Sequence, residues 1–260
     1  MSTANNATFA KTAEHAINAT GLEGYKPYEP RPLVIPERIT SDDVAAVILE
    51  SLEAGNDPAE DPDVQRAVTR HNIANYTHYM QTKHAYSESL RHIAHIKAQR
   101  ETLIAEMKEK FDAAAEVLRD AHKVLGDEPL WDRNFASPGD KNAIVRIHAQ
   151  AALYTTDLIV QNWSTLMFHL AGQPGVRTGI LHYLRATAEE ADRLGADLGE
   201  LTTTGRKKGV WDALCNGITV DLATDYDDVR ARAVALSQTR EQQRQAEARA
   251  QQQAAENAGQ

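Results

Sequence analysis

Five of the ten histidines, His71, His78, His84, His92 and His95, crowd into one stretch of the chain. Glu88, His92 and His95 stand at i, i+4 and i+7, a spacing that brings a carboxylate and two imidazoles to one side of a helix. Zinc or iron would accept that set if another helix supplied a fourth ligand. Carboxylate-bridged di-metal bundles repeat Glu-x-x-His on two helices, and the sequence contains no such motif. Histidines at this spacing also make ordinary solvated faces. Glu88, His92 and His95 are therefore weak metal candidates, and the expectation is no metal, no bound cofactor and no catalytic residue. His71 and His78, seven apart, share a side and are read as polar packing.

Other chemistry is thinner still. No nucleophile elbow, HExxH, CxxC, GxGxxG or phosphate loop occurs. Gly205-Arg206-Lys207-Lys208-Gly209 is basic but lacks phosphate-loop spacing, and reads as an exposed loop. The single cysteine, Cys215, rules out an internal disulfide framework or a multi-thiolate zinc site within one chain, and reads as a small buried hydrophobe. Trp131, Trp163 and Trp211 lie in different segments and read as packing anchors.

The element that must carry the histidines is the dominant pattern of the chain. Tyr76, Tyr79, Lys83, Tyr86, Leu90, Ile93, Lys97, Arg100, Ile104, Met107, Phe111, Ala114, Leu118, Ala121 and Leu125 follow one another at alternating steps of three and four. A repeat averaging 3.5 residues keeps one stripe facing a partner, and no Pro or Gly falls between Asp63 and Leu125. The spacing predicts a coiled-coil-like rod helix over 61–126, about 95 Å long at 1.5 Å per residue. Its interaction seam is Tyr76, Tyr79, Tyr86, Leu90, Ile93, Ile104, Met107, Phe111, Leu118 and Leu125. Lys83, Lys97 and Arg100 interrupt it, which suggests an uncovered stretch or facing acids near 97–100. The half from 96 onward carries a wider stripe and is expected to pack within its own chain; the histidine-rich half is expected to project.

Three further segments surround this one. Residues 1–60 hold a short amphipathic helix over 7–19 ended by Gly21, a Pro-rich strap through Pro36 whose Tyr25, Tyr28, Leu33, Val34 and Ile35 suit a surface, and a helix capped at Thr40 and stopped at Gly55. Residues 127–236 predict a helical bundle packing on the second half of the rod. One helix there, from 140 to about 171, has two apolar stripes, Ile144/Ile147/Ala151/Tyr154/Leu158/Phe168 and Leu153/Val160/Trp163/Met167/Leu170, the mark of a central bundle member. A Gly172-Pro174-Gly175 turn leads to an antiparallel helix over 180–201, and short helices follow near Trp211 and from Asp225. Residues 237–260 lack any large apolar side chain and predict a polar helix or disordered tail. The fold class is all-α.

Charge narrows the partners. The net charge of −9 divides into −7 over 1–61, +2 over 62–125, −4 over 126–204 and zero beyond. Without a polybasic cluster, nucleic acid and anionic lipid are poor primary partners. The start of the chain lacks a secretory pattern, and no apolar run is long enough to cross a membrane, so a cytoplasmic protein without a transmembrane segment is expected.

The rod, strap and alanine- and glutamine-rich polar end make the chain similar in type to scaffolding and virion proteins of tailed phages. That resemblance implies a non-enzymatic, self-associating structural or assembly protein, located in the cytoplasm or the virion, with itself or other structural proteins as partners. Two alternatives are a metal-binding bundle or metalloenzyme using Glu88, His92 and His95, and a peripheral membrane-remodelling rod whose Phe9–Ile17 helix lies on lipid.

Overall fold

A computed structural model describes residues 3–35, 37, 39–130, 141–171, 180–194 and 209–258. The fold is all-α: α1 Thr3–Ala19, α2 Ser41–Glu53, α3 Pro62–Asn75, α4 Thr77–Ala98, α5 Arg100–Leu125, α6 Ala143–Ala171, α7 Ala188–Arg193, α8 Val210–Cys215 and α9 Tyr226–Ala258. One two-residue ladder, β1 Leu184–Arg185 against β2 Thr219–Val220, is antiparallel. Packing divides the chain into two compact units, residues 1–10 with 27–95, and 11–26 with 96–260.

Local chemistry sets most helix ends. Thr40 accepts the Asp43 amide and the Asp43 carboxylate accepts the Thr40 amide, a reciprocal box that satisfies donors otherwise orphaned at the start of α2. Asp61 caps α3 by accepting the Asp63 amide at 2.8 Å, with Pro62 in the first turn. At the ends of α1 and α2, Gly21 and Gly55 adopt positive φ of 65° and 76°. Leu22 then reaches back to the Ile17 carbonyl, and Asn56 to that of Ser51, closing both helices with the bond pattern that a left-handed glycine permits.

The stretch expected as one helix from 61 to 126 is three helices. Tyr76 and Gln99 separate them, with ψ of 0° and 4°, and each donates its amide three residues back, to Ile73 and Ile96. Those are tightened 3₁₀-type steps within an otherwise α-helical path. Around Tyr76, Asn75 and Thr77 are weak helix formers, and the Thr77 hydroxyl also bonds the Ile73 carbonyl. Gln99 is drawn into another contact, its side-chain amide accepting from Lys26 N–H at 2.7 Å and donating to Lys26 O at 3.1 Å.

In the unit formed by 11–26 and 96–260, α5 packs on α6. Leu103, Met107, Phe111, Ala115 and Leu118 of α5 are buried, as are Ile159, Trp163, Leu166 and Met167 of α6. Each large side chain so removed from water contributes about 1.5–3 kcal/mol. Only one of the two α6 stripes is used this way. Ile144, Ile147, Tyr154 and Phe168 are exposed, so the expected central bundle position is corrected to a helix covered on one side among the described residues.

The helix expected over 180–201 is also corrected. Residues 180–183 form a turn, β1 follows, and α7 starts afresh where Thr187 and Glu190 form another reciprocal cap. Asp221 and Ala223 donate to the Tyr183 and His182 carbonyls at 3.0 and 2.8 Å, committing this stretch to extended pairing. Arg232 of α9 locks it. Its guanidinium donates to the Leu181, Leu184 and Asp221 carbonyls and to the Asp221 and Asp228 carboxylates, with its side chain only 4% exposed. The last helix, α9, runs through Ala258, with the side chains of residues 237–254 largely solvated. Leu198, Leu201, Trp131, Phe135, the 172–175 turn and the basic residues 206–208 lie outside the described residues.

Candidate functional site

The interaction seam splits into two environments. Ile104, Met107, Phe111, Leu118 and Leu125, all on α5, are buried. Tyr76 and Tyr79 are 64% and 60% exposed, Tyr86 and Leu90 are exposed too, and Ile93 is half-buried. Lys83 lies over the Tyr79 ring, its Nζ 5.4 Å from the centroid, so the ammonium covers part of an aromatic face that water would otherwise meet.

The weak metal candidates sit elsewhere on α4, beneath the strap. Tyr28 stacks on the His92 ring at 4.9 Å and meets the His95 ring, tilted, at 5.6 Å. Its hydroxyl donates to Glu88 Oε2 at 2.7 Å, and the Arg31 amide donates to the same oxygen at 2.8 Å. Arg91 donates to Glu88 Oε1, and His84 lies 4.0 Å from it. These donors, the Tyr28 hydroxyl above all, hold the Glu88 carboxyl down at about 2, and the same hydrogen bond raises the Tyr28 phenol. The structure thus brings Glu88, His92 and His95 together around a tyrosine. His71 is equally structural, its Nδ1–H donating to the Ile39 carbonyl at 3.1 Å.

The strap residues of the other unit are tied to α5. Glu106 accepts the Glu23 and Gly24 amides at 2.6 and 2.8 Å, and Lys110 donates to the Gly21 carbonyl. These amides and Lys110 hold the Glu106 carboxyl below its usual range against the opposing effect of burial. A Cβ on Gly24 would approach Glu106 Oε2 to 2.8 Å, so a larger residue there would make the carboxylate shift. Of the apolar strap members, Val34 is fully solvated and Leu33 exposed.

Near the seam cations the structure opens a cleft of about 900 Å³, lined by Arg100, Glu101, Ile104, Lys108, Asp112 and Asp225 among others. Lys108 bridges Asp112 and Asp221 at 3.1 and 3.0 Å. Arg100 is half-buried at this cleft and Lys97 is exposed. On the wall of this open cleft Lys108 and Asp112 pair with each other.

Trp163 and Trp211 are anchors. Trp163 is buried, donates to the Ala223 carbonyl at 2.7 Å, and packs against His182 and Tyr226. Trp211 donates to the Glu128 carbonyl at 3.2 Å. Sequence reasoning missed one grouping, in which His122, Asp127 and Cys215 bring a nitrogen, an oxygen and a sulfur within 4.8 Å of one another. Burial pushes the half-buried Cys215 thiol up to about 11, with Asp127 and Asp212 adding to the effect. The residue types are good ligands, but 122, 127 and 215 have no spacing that marks them.

Comparison of the chain with protein-family models, curated proteins and solved structures finds no match. No described helix is long and apolar enough to cross a membrane.

Proposed function

We propose that the protein is a non-enzymatic structural or assembly component that self-associates, or joins other structural proteins, through the open side of α4. The supporting observation is the row Tyr76, Tyr79, Tyr86 and Leu90, apolar at coiled-coil spacing and exposed in the single chain. Covering it between two copies would bury on the order of 1,000 Å², near the lower end of stable interfaces. Such a contact fits a scaffold or a phage virion component, working in the cytoplasm or in the virion. Neither alternative gains from the geometry: the acceptor oxygens of Glu88 already serve Tyr28, Arg31 and Arg91, and Ala10, Ala13, Ala16 and Ile17 of α1 are buried, so that helix offers lipid little.

Light scattering over a concentration series tests the proposal. Masses at multiples of 28.7 kDa are expected, reverting to the single-chain value when Tyr76, Tyr79 and Tyr86 are all changed to Glu. A compact monomer at every concentration would overturn it.

A further inference from the structure

We propose that His122, Asp127 and Cys215 form a zinc-class divalent metal site, with His122 Nε2, an Asp127 carboxylate oxygen and Cys215 Sγ as ligands and a fourth position open to solvent. This site is separate from the α4 face and does not depend on the assembly reading.

The geometry comes from two helix ends. His122 stands in the last turn of α5 and Cys215 ends α8, two helices that pack on each other. Between them in space comes Asp127, returned by Gly126, whose φ of 62° and ψ of −146° belong to glycine. His122 Nε2 and Asp127 Oδ1 are already 2.9 Å apart. In a tetrahedral zinc shell, ligand atoms lie about 3.3–3.7 Å from one another, so a set within 4.8 Å needs side-chain movement of about 1 Å.

The surroundings favour the arrangement. The Trp211 ring meets the His122 imidazole edge-on at 5.7 Å and its Nε1–H holds the Glu128 carbonyl, so one side chain orients a ligand and fixes the loop beside another. Asp127 and Asp212 make the local potential negative around Cys215, as a cation requires. Asp127 is mostly exposed, which leaves a water molecule room as the fourth ligand. An imidazole, a carboxylate and one thiolate suit zinc or cobalt better than magnesium or calcium, which prefer all-oxygen shells. On binding, the metal–sulfur bond replaces the S–H bond and the thiol proton leaves to solvent.

Cobalt titration of the reduced full-length chain is the test. One equivalent should bind with a thiolate-to-cobalt charge-transfer band and intense tetrahedral d–d bands, both lost on adding zinc. Cys215→Ser should abolish the charge-transfer band and His122→Ala should weaken binding at least tenfold, while a His92→Ala/His95→Ala double variant should bind as the parent does. Circular dichroism on each variant confirms that it is folded. Absence of binding, binding without a charge-transfer band, or parental affinity in Cys215→Ser would overturn the site.

Discussion

The two halves of one heptad pattern meet opposite fates. On α5, Met107, Phe111 and Leu118 are covered by the chain's own residues, whereas Tyr76, just before α4, and Tyr79, Tyr86 and Leu90 on α4 face solvent. Their compositions explain the difference. The α5 stripe is aliphatic apart from Phe111, with small alanines between, which allows close approach by α6; the α4 stripe is mainly tyrosine, which tolerates water at its hydroxyl. A regular spacing therefore specifies that a stripe exists, and the side chains within it decide how easily it remains open.

The largest effect should come from the covered half. Phe111→Ala should cost about 3–5 kcal/mol in urea unfolding, because a fully buried ring leaves a cavity beside α6. Tyr79→Ala measured under dissociating dilution should stay within about 0.5 kcal/mol of the parent, as for other exposed positions. Equal losses at the two sites would erase the contrast.

A smaller loss, about 1–3 kcal/mol, is expected for Arg232→Ala, since it takes a buried donor from the Leu181 and Leu184 carbonyls while Asp221 keeps Lys108 and Arg185. Thermal or urea unfolding checks it. The unit containing α5 is thus fastened by polar groups as well as by its apolar seam.

That distinction also explains what the sequence makes legible. The caps at Thr40 and Asp61 and the stops at Gly21 and Gly55 are visible because each works through residues adjacent in the chain. Burial on α5 is visible because periodicity and aliphatic content agree. Arg232 is invisible, since its partners come from Leu181, Leu184 and Asp221 and nothing local marks an arginine that will be buried. The breaks at Tyr76 and Gln99 lack Pro or Gly; one depends on a long-range amide contact to Lys26. The heptad begun at Ile180 misleads because Ile180, Leu184 and Ala191 serve a turn, a strand and a short helix in succession. Of the candidate site, the grouping of Glu88, His92 and His95 is legible, but its occupant, Tyr28, comes from a remote strap.

Smaller effects should separate the strap from the α4 seam. The Glu88 carboxyl is held at about 2 in the folded chain against an ordinary value of 4.5, so its contribution is complete above that ordinary value and is lost as pH falls toward about 2. The stability difference between the parent and Glu88→Gln should accordingly shrink over that window, as followed by thermal melts. Tyr28→Phe keeps the ring on His92 but removes the donor, and should raise the Glu88 pKa in an NMR titration without changing the light-scattering mass.

The most direct test of the split seam places a photo-crosslinking amino acid at position 79 or, separately, at position 118, in an equal mixture of light and heavy isotope-labelled chains. Mixed-isotope crosslinks are expected from position 79 and single-chain crosslinks to α6 from position 118. Crosslinks confined to single chains from both positions would contradict the split seam.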